Sequence, residues 1–318
     1  MRKILLILIA LAALAAGGYV ALPRHSSASE NPKADVATTT TLPSPASVCS
    51  ATACSTWKNP EPWTGKTPSV MTTVFTPNSA EPTVTAYAAW INTSTTNVAL
   101  YPGYKGPGPS TLPRGPQMVP LTARSRLLAT FNSGFYESDA AAGFFTHHTL
   151  YFPMVKGSAT LIQYKDGSVD IKAWDGGKSP GANVLMARQN LPLLVNNSVP
   201  TQSSSDNAQW GLTLHGVPAV WRTALGIDAQ GNLIYAAASS QTAHSLALLM
   251  SKLHVVRAMQ LDINPAWPIF VTYADRGAKG PSLFVPNSNQ ISTRFLYSST
   301  KDFFAVFASK SAGEPQPW

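Results

Sequence analysis

Cysteine is nearly missing from this chain: 318 residues contain two, Cys49 and Cys54. A disulfide framework is thereby excluded as the main source of stability. A zinc module is excluded too, since it draws three or four ligands together. Charge is also sparse, with Asp, Glu, Lys and Arg making up 12% of the chain. Of the formal net charge of +8, Arg2, Lys3 and Arg24 supply three, and the remaining +5 is spread without a Lys/Arg cluster. Nucleic-acid binding needs a concentrated basic stripe with stacking aromatics, so no nucleic-acid partner is expected. HExxH, clustered Cys/His ligands, EF-type acid spacing and G-x-S-x-G are all absent. Neither a bound metal, a cofactor nor a serine nucleophile is indicated. No repeat of 20–50 residues occurs, which argues against a propeller or solenoid.

Long apolar runs are limited to one. Ile4–Leu22 is uncharged, preceded by Arg2 and Lys3 and followed by Arg24. That pattern fits a secretory signal or a single membrane anchor, and its length is close to the ~20 residues a spanning helix needs. Residues 1–24 are therefore expected to export the chain, leaving the remainder extracellular, either secreted or anchored to the membrane by residues 4–22. Residues 25–68 are rich in Ser, Thr, Pro and Ala, a composition poor in buriable surface, and read as a linker. Cys49 and Cys54 sit in this linker at C-x4-C spacing, where an oxidising compartment would let them close a small local loop. Residues 69–310 are long enough for one large domain, and 311–318 form a short tail.

Strand-like runs dominate that domain. They fall at 84–91, 98–103, 127–134, 159–164, 168–174, 184–189, 219–227, 233–238, 255–263, 268–273 and 303–308. Several are rich in β-branched and aromatic residues and are bounded by Gly, Pro, Asn or Asp clusters. Asp166-Gly167 and Gly231-Asn232 supply turn residues for two hairpins. One helix is predicted, Thr242–Leu253, whose Ala243, Leu246, Ala247, Met250 and Leu253 recur at helical spacing. The expected fold class is α+β, mainly β mixed sheets with a few packed helices. A Pro-rich stretch at 102–120 is long for a connection and suits either a cover over a site or a wrap along a sheet edge.

Two charges stand inside apolar strands. Arg222 enters the run Ala219–Ile227, and Asp262 ends the run Val255–Ile263. Buried charges are costly unless paired or used, so the two form either an ion pair that pins strands or part of a site. Earlier, a strand runs into Asn132-Ser133-Gly134, followed by Phe135 and Tyr136. Gly134 allows a close backbone turn, and an Asn side chain both donates and accepts hydrogen bonds, as sugar hydroxyls require. The plainer alternative is an ordinary strand-ending turn.

Together, Phe131-Asn132-Ser133-Gly134-Phe135-Tyr136, Arg222-Thr223-Ala224-Leu225-Gly226 and Ala258-Met259-Gln260-Leu261-Asp262 resemble, in order and spacing, three motifs of the phosphodiester glycosidase family. The likeness covers most of 125–275. It implies hydrolysis of a sugar-phosphodiester glycosidic bond, with Asp262 as base or nucleophile, Arg222 holding phosphate and Asn132 orienting sugar or phosphate. Gly134, Phe135, Tyr136 and Thr223 would line the substrate. The family's three glycines after the aspartate are replaced by Ile263-Asn264-Pro265-Ala266-Trp267. Proline removes a donor and isoleucine adds bulk, which works against phosphate cradling by backbone amides. Asn264 and Trp267 are expected to contact a sugar instead. The expected partner is a phosphorylated glycan or cell-envelope polymer. The competing reading is a catalytically inactive glycan-binding or envelope-binding domain of the same fold.

Other candidates carry less. Glu137 and Asp139 follow the Asn132 turn as potential second carboxylates. Asp228 belongs to turn chemistry and Asp275 to a surface loop. His147 and His148 are adjacent, so on a strand they would face opposite ways. His215, His244 and His254 read as packing or surface residues.

Overall fold

The computed structural model describes residues 44–48, 55–61, 67–211 and 217–309. The apolar start at 4–22, Cys49, Cys54, His215 and the tail at 311–318 lie outside the described residues. The folded body reaches upstream of residue 69 into the expected linker. Val48 packs into an apolar core, Lys58 pairs with Thr72, and Glu61 is fully buried. That burial pushes the Glu61 carboxyl up to about 9.

Three sheets form the body, and every strand pairing among the described residues is antiparallel. The first runs β1 (Val70–Phe75), β2 (Ala86–Ile91), β13 (Leu233–Gln241), β12 (Val220–Asp228), β14 (Val255–Gln260), β10 (Leu193–Asn196), β11 (Val199–Pro200). The second runs β16 (Lys279–Leu283), β15 (Phe270–Asp275), β4 (Leu127–Asn132), β17 (Phe303–Ala308), β3 (Thr96–Tyr101). The third runs β6 (Thr149–Phe152), β5 (Phe144–Thr146), β9 (Val184–Gln189), β7 (Ala159–Tyr164), β8 (Val169–Ala173). The expectation of a mainly β, α+β fold holds.

Among the described residues two α-helices accompany them, the single turn α1 (Glu137–Ala140) and α2 (Ala243–Lys252). The Thr242 hydroxyl accepts from the Ser245 amide, and the Ser245 hydroxyl accepts from the Thr242 amide; this reciprocal cap fixes where α2 begins. α2 connects β13 to β14, the two strands that flank β12.

Strand alternation divides the first sheet into two faces. Ala224, Ala236, Ala238 and Ala258 pack against Leu246, Ala247 and Met250 of α2. Small residues there let the helix lie close to the sheet. Leu225, Tyr235, Met259 and Leu261 point the other way, into a core shared with Phe131, Phe270 and Phe304 of the second sheet and Leu161 and Met186 of the third. The site lies at the junction of these layers.

Turns follow local chemistry. Asp228 Oδ1 accepts from the amides of Gln230 and Asn232, and Gly231 has a φ of +85°, so Asp228 is turn chemistry as expected. His147 and His148 are not on a strand. They form the tight turn between β5 and β6 with φ of +50° and +58°, geometry that a right-twisting hairpin of this length favours. Among the described residues no helix is long and apolar enough to cross a membrane.

Candidate functional site

Asp262 follows the end of β14, where the chain leaves the sheet. Its carboxylate is buried and accepts from the Asn264 amide at 3.0 Å through Oδ1. Oδ2 lies 2.8 Å from the Lys301 ammonium. Burial pushes the Asp262 carboxyl above the usual carboxylate range. Lys301 and the Asn264 amide pull it back, and the neighbouring Asp302 adds to the rise. Lys301 is itself buried, with Nζ 3.7 Å from the centre of the Tyr136 ring and 5.6 Å from that of Trp267. The ion pair thus has two half-buried aromatic rings as its neighbours.

Next to it lies a second buried pair. Arg188 on β9 meets Asp302 Oδ2 at 2.9 Å, and neither side chain is exposed. The guanidinium also donates to the Ser133 hydroxyl and to the Phe135 and Gln189 carbonyls. Gly134 passes so close that a Cβ there would lie 3.2 Å from Asn190 and 3.4 Å from Arg188. Asp302 Oδ1 and Asn190 Oδ1 are buried without a hydrogen-bond partner.

The Pro-rich stretch covers this cluster from one side. Tyr104, Lys105 and Gly106 donate backbone hydrogen bonds to the carbonyls of Ser299 and Thr300, and Glu137 donates to the Pro107 carbonyl. Arg114 bonds the carbonyls of Gly103, Gly106 and Gly108, tying the strap into one unit. Gly106 is required by contact, since a Cβ there would lie 2.7 Å from Asp302 Oδ1.

The residues predicted from sequence divide. Asn132, Thr223 and Asp262 are brought together: Asn132 Nδ2 donates to the Thr223 hydroxyl at 3.0 Å, and that hydroxyl donates to the Asp262 carbonyl at 2.9 Å. Asn132 also donates to the Ser133 carbonyl and accepts from the Tyr235 hydroxyl and the Ile269 amide. Its four hydrogen-bonding positions are therefore filled within the protein, and it ties the first sheet to the second instead of reaching out to a ligand. Phe135 is buried, whereas Tyr136 and Trp267 are half-exposed beside Lys301.

Arg222 is placed elsewhere. It precedes Thr223, so it faces α2 with Ala224 while Thr223 faces the cluster. Its guanidinium donates to Gln260 Oε1 and to the carbonyls of Trp210, Gln241 and Pro218. Burial lowers it to about 10. The cation beside Asp262 is Lys301, which the sequence reading missed, along with Arg188 and Asp302. A signal existed for each: Arg188 is a lone charge in an apolar strand, and Lys301-Asp302 directly precedes the buried run Phe303–Phe307.

The loop after Asp262 consumes its own donors. Besides the Asn264 amide bound to Asp262, the Ala266 amide donates to Asn264 Oδ1 and the Trp267 amide to the Asn264 carbonyl. Pro265 has no amide hydrogen. Asn287 and Gln290 then bind the loop carbonyls. Of the Ile263–Trp267 amides only that of Ile263 is left without an acceptor among the described residues, fewer donors than a Gly-rich turn aims at an anion.

Residues 125–262 match the family model described as phosphodiester glycosidase. The match identifies a phosphodiester glycosidase family region. It contains Asn132, Arg188, Arg222 and Asp262, while Lys301 and Asp302 lie downstream of it. At this level the chain is hydrolase-like. The search of curated proteins gave no match. Among solved structures, the chain is similar to the zebrafish N-acetylglucosamine-1-phosphodiester α-N-acetylglucosaminidase catalytic domain auto-inhibited by its pro-peptide. Identity is 14% and the TM-score 0.48, covering 77% of this chain and 85% of that one. A hypothetical protein from Synechocystis is similar at 10% identity and a TM-score of 0.38, covering 76% of this chain and 62% of that one. Likenesses this distant add nothing to what the family region itself supports.

Away from the Asp262–Lys301 cluster, a surface cavity of about 780 Å³ runs along α2, lined by Glu81, Gln241, Thr242, Leu248 and Lys252 among others. It includes none of the cluster residues. Among the described residues no three His, Cys, Asp or Glu side chains gather where a metal ion would sit.

Proposed function

We propose that this protein hydrolyses the glycosidic bond of a sugar-1-phosphodiester at Asp262. The observation that carries the reading is the buried Asp262–Lys301 pair between Tyr136 and Trp267, at the end of the family-matched region. A water attacks the anomeric carbon while Asp262 takes its proton. The electron pair of the broken C–O bond leaves with the phosphate oxygen. A phosphate leaving group is already a stable anion, so a dedicated acid is less needed than for an ordinary glycoside. Lys301 offsets the charge that builds on that oxygen. A carboxyl held above its ordinary range by burial is a better base near neutral pH than a solvated one. Tyr136 and Trp267, both half-exposed beside the pair, offer apolar ring surface to the sugar.

The proposed place of action is outside the cytoplasm. Its basic–apolar opening supports export, and the substrate is then a phosphorylated glycan or polymer of the cell envelope. The test is release of free sugar from the methyl phosphodiester of N-acetylglucosamine 1-phosphate and related sugars by the purified chain. Turnover that disappears in Asp262→Asn supports the reading; equal rates in both would overturn the assignment.

One observation favours a second reading, a glycan-binding domain without turnover. The loop after Asp262 has spent the Asn264, Ala266 and Trp267 amides internally. Retention of envelope glycan with no sugar released over long incubation would select it.

A further inference from the structure

Arg294 opens the short 3₁₀ turn Arg294–Leu296 and is half-buried. Its guanidinium lies 4.7 Å from the centre of the Trp267 ring, the ring that Lys301 also approaches. A guanidinium over a ring face makes no hydrogen bond to it in its own plane, so its N–H groups keep their capacity to donate. No carboxylate, carbonyl or hydroxyl among the described residues accepts a hydrogen bond from this side chain, which lies over the rings of Trp267 and Phe295. Tyr104 of the strap is near enough to act on it electrostatically, and the Tyr104 hydroxyl accepts from Thr300, the residue before Lys301. This half-buried guanidinium has lost part of its hydration and, among the described residues, has gained ring contacts but no hydrogen-bond acceptor in return. Burial accordingly lowers it from its ordinary value.

We propose that Arg294 and Lys301, flanking Trp267, form the seat for the phosphoryl group of a phosphodiester substrate, taking over from the loop amides that the Ile263–Trp267 sequence withdraws. This assignment rests on the proposed reaction for its substrate class. A planar fork of donors suits two phosphate oxygens at once, whereas Lys301 acts as a point charge. The seat also explains how the closed pair at Asp262 is opened. A phosphoryl oxygen competes with Asp262 for the Lys301 ammonium and leaves the carboxylate free to take a proton from water. A neutral glycoside offers these cations only hydroxyl and ether oxygens, without negative charge, and is disfavoured by the same arrangement.

The experiment is calorimetric titration of inorganic phosphate into the full chain, its Arg294→Gln and Arg294→Lys variants, and Arg276→Gln as a control for general loss of charge. Phosphate binding weakened about ten-fold or more in Arg294→Gln, partly recovered in Arg294→Lys and unchanged in Arg276→Gln is the expected result. No binding by the parent, or equal binding by parent and Arg294→Gln at matching melting temperatures, would overturn the seat. Phosphate binding that depends on Arg294 without any sugar release would defeat the hydrolysis reading and leave this one standing. Sugar release with Arg294-independent phosphate binding would do the reverse.

Discussion

Lys301 Nζ lies 2.8 Å from Asp262 Oδ2, and both residues are buried. The ammonium is what keeps this carboxylate from rising further above its ordinary range. Lys301→Met should therefore move the ionisation of Asp262 upward. The deprotonated base then appears only at higher pH, so the acid limb of the rate profile for sugar release should shift to higher pH. Asp262→Asn should lower kcat by about 10²–10⁴-fold, the usual range for losing a general base. A pH–rate profile of both variants against the parent checks this, and an unmoved acid limb in Lys301→Met would remove Lys301 from the mechanism.

Stability should depend on pH in two opposed ways. Asp262 binds its proton more tightly folded than unfolded, so its contribution falls as pH rises from the ordinary 3.8 toward the raised folded value. His147 is the reverse case: burial lowers it from 6.5 to about 4, so stability is lost as pH falls through that interval. His147→Asn, a residue that tolerates the positive φ of this turn, should flatten the acid side of a melting-temperature curve. Asp262→Asn should flatten the decline above pH 3.8. Thermal melts from pH 3.5 to 8 separate the two.

Arg222 should behave as a structural residue. Arg222→Ala removes donors from Gln260 and from the carbonyls of Trp210 and Gln241 within a packed layer. The expected cost is about 2–4 kcal/mol of folding stability, from lost hydrogen bonds and a cavity together. KM for a phosphodiester substrate should stay within about two-fold of the parent, because the guanidinium faces α2. A large KM effect at unchanged stability would return Arg222 to the site.

The Arg188–Asp302 pair predicts a non-additive result. Asp302→Ala strands a buried guanidinium and should cost about 3–5 kcal/mol, whereas Arg188→Met combined with Asp302→Leu should cost much less. Denaturant unfolding of the two single variants and the double variant measures the coupling.

Gly106→Ala tests the strap. The added methyl would press on Asp302 Oδ1, so the strap or the Lys301–Asp302 segment must move. A loss of about 1–3 kcal/mol with reduced sugar release is expected. Unchanged activity would show that the strap's fit on Asp302 does not matter to the site.

Much of the fold is legible from local pattern. Residues 159–164, 184–189 and 303–308 form strands at the bounds the sequence suggested, and α2 begins at the Thr242 cap. Alternating apolar residues and capping hydroxyls act over a few residues, so a short window contains their whole cause. β5 and β6 were not anticipated, because each is only three or four residues long and the turn between them is made by two histidines in place of Asn-Gly. The strap at 102–120 was visible as an unusual connection, but its tie to Thr300 was not.

By itself, the sequence determined the central strands of the sheets, the capped helix, the Asp262 terminus of a buried strand and a loop whose proline and bulk work against cradling phosphate. Tertiary structure alone decided which cation meets that carboxylate. Side chains on a strand alternate with a period of two, so a shift of one residue sends Arg222 toward α2 and Thr223 toward the cluster. Which of those faces is covered by a helix, and which by a second sheet carrying Lys301, is set by how the layers pack, and no local stretch of sequence encodes that.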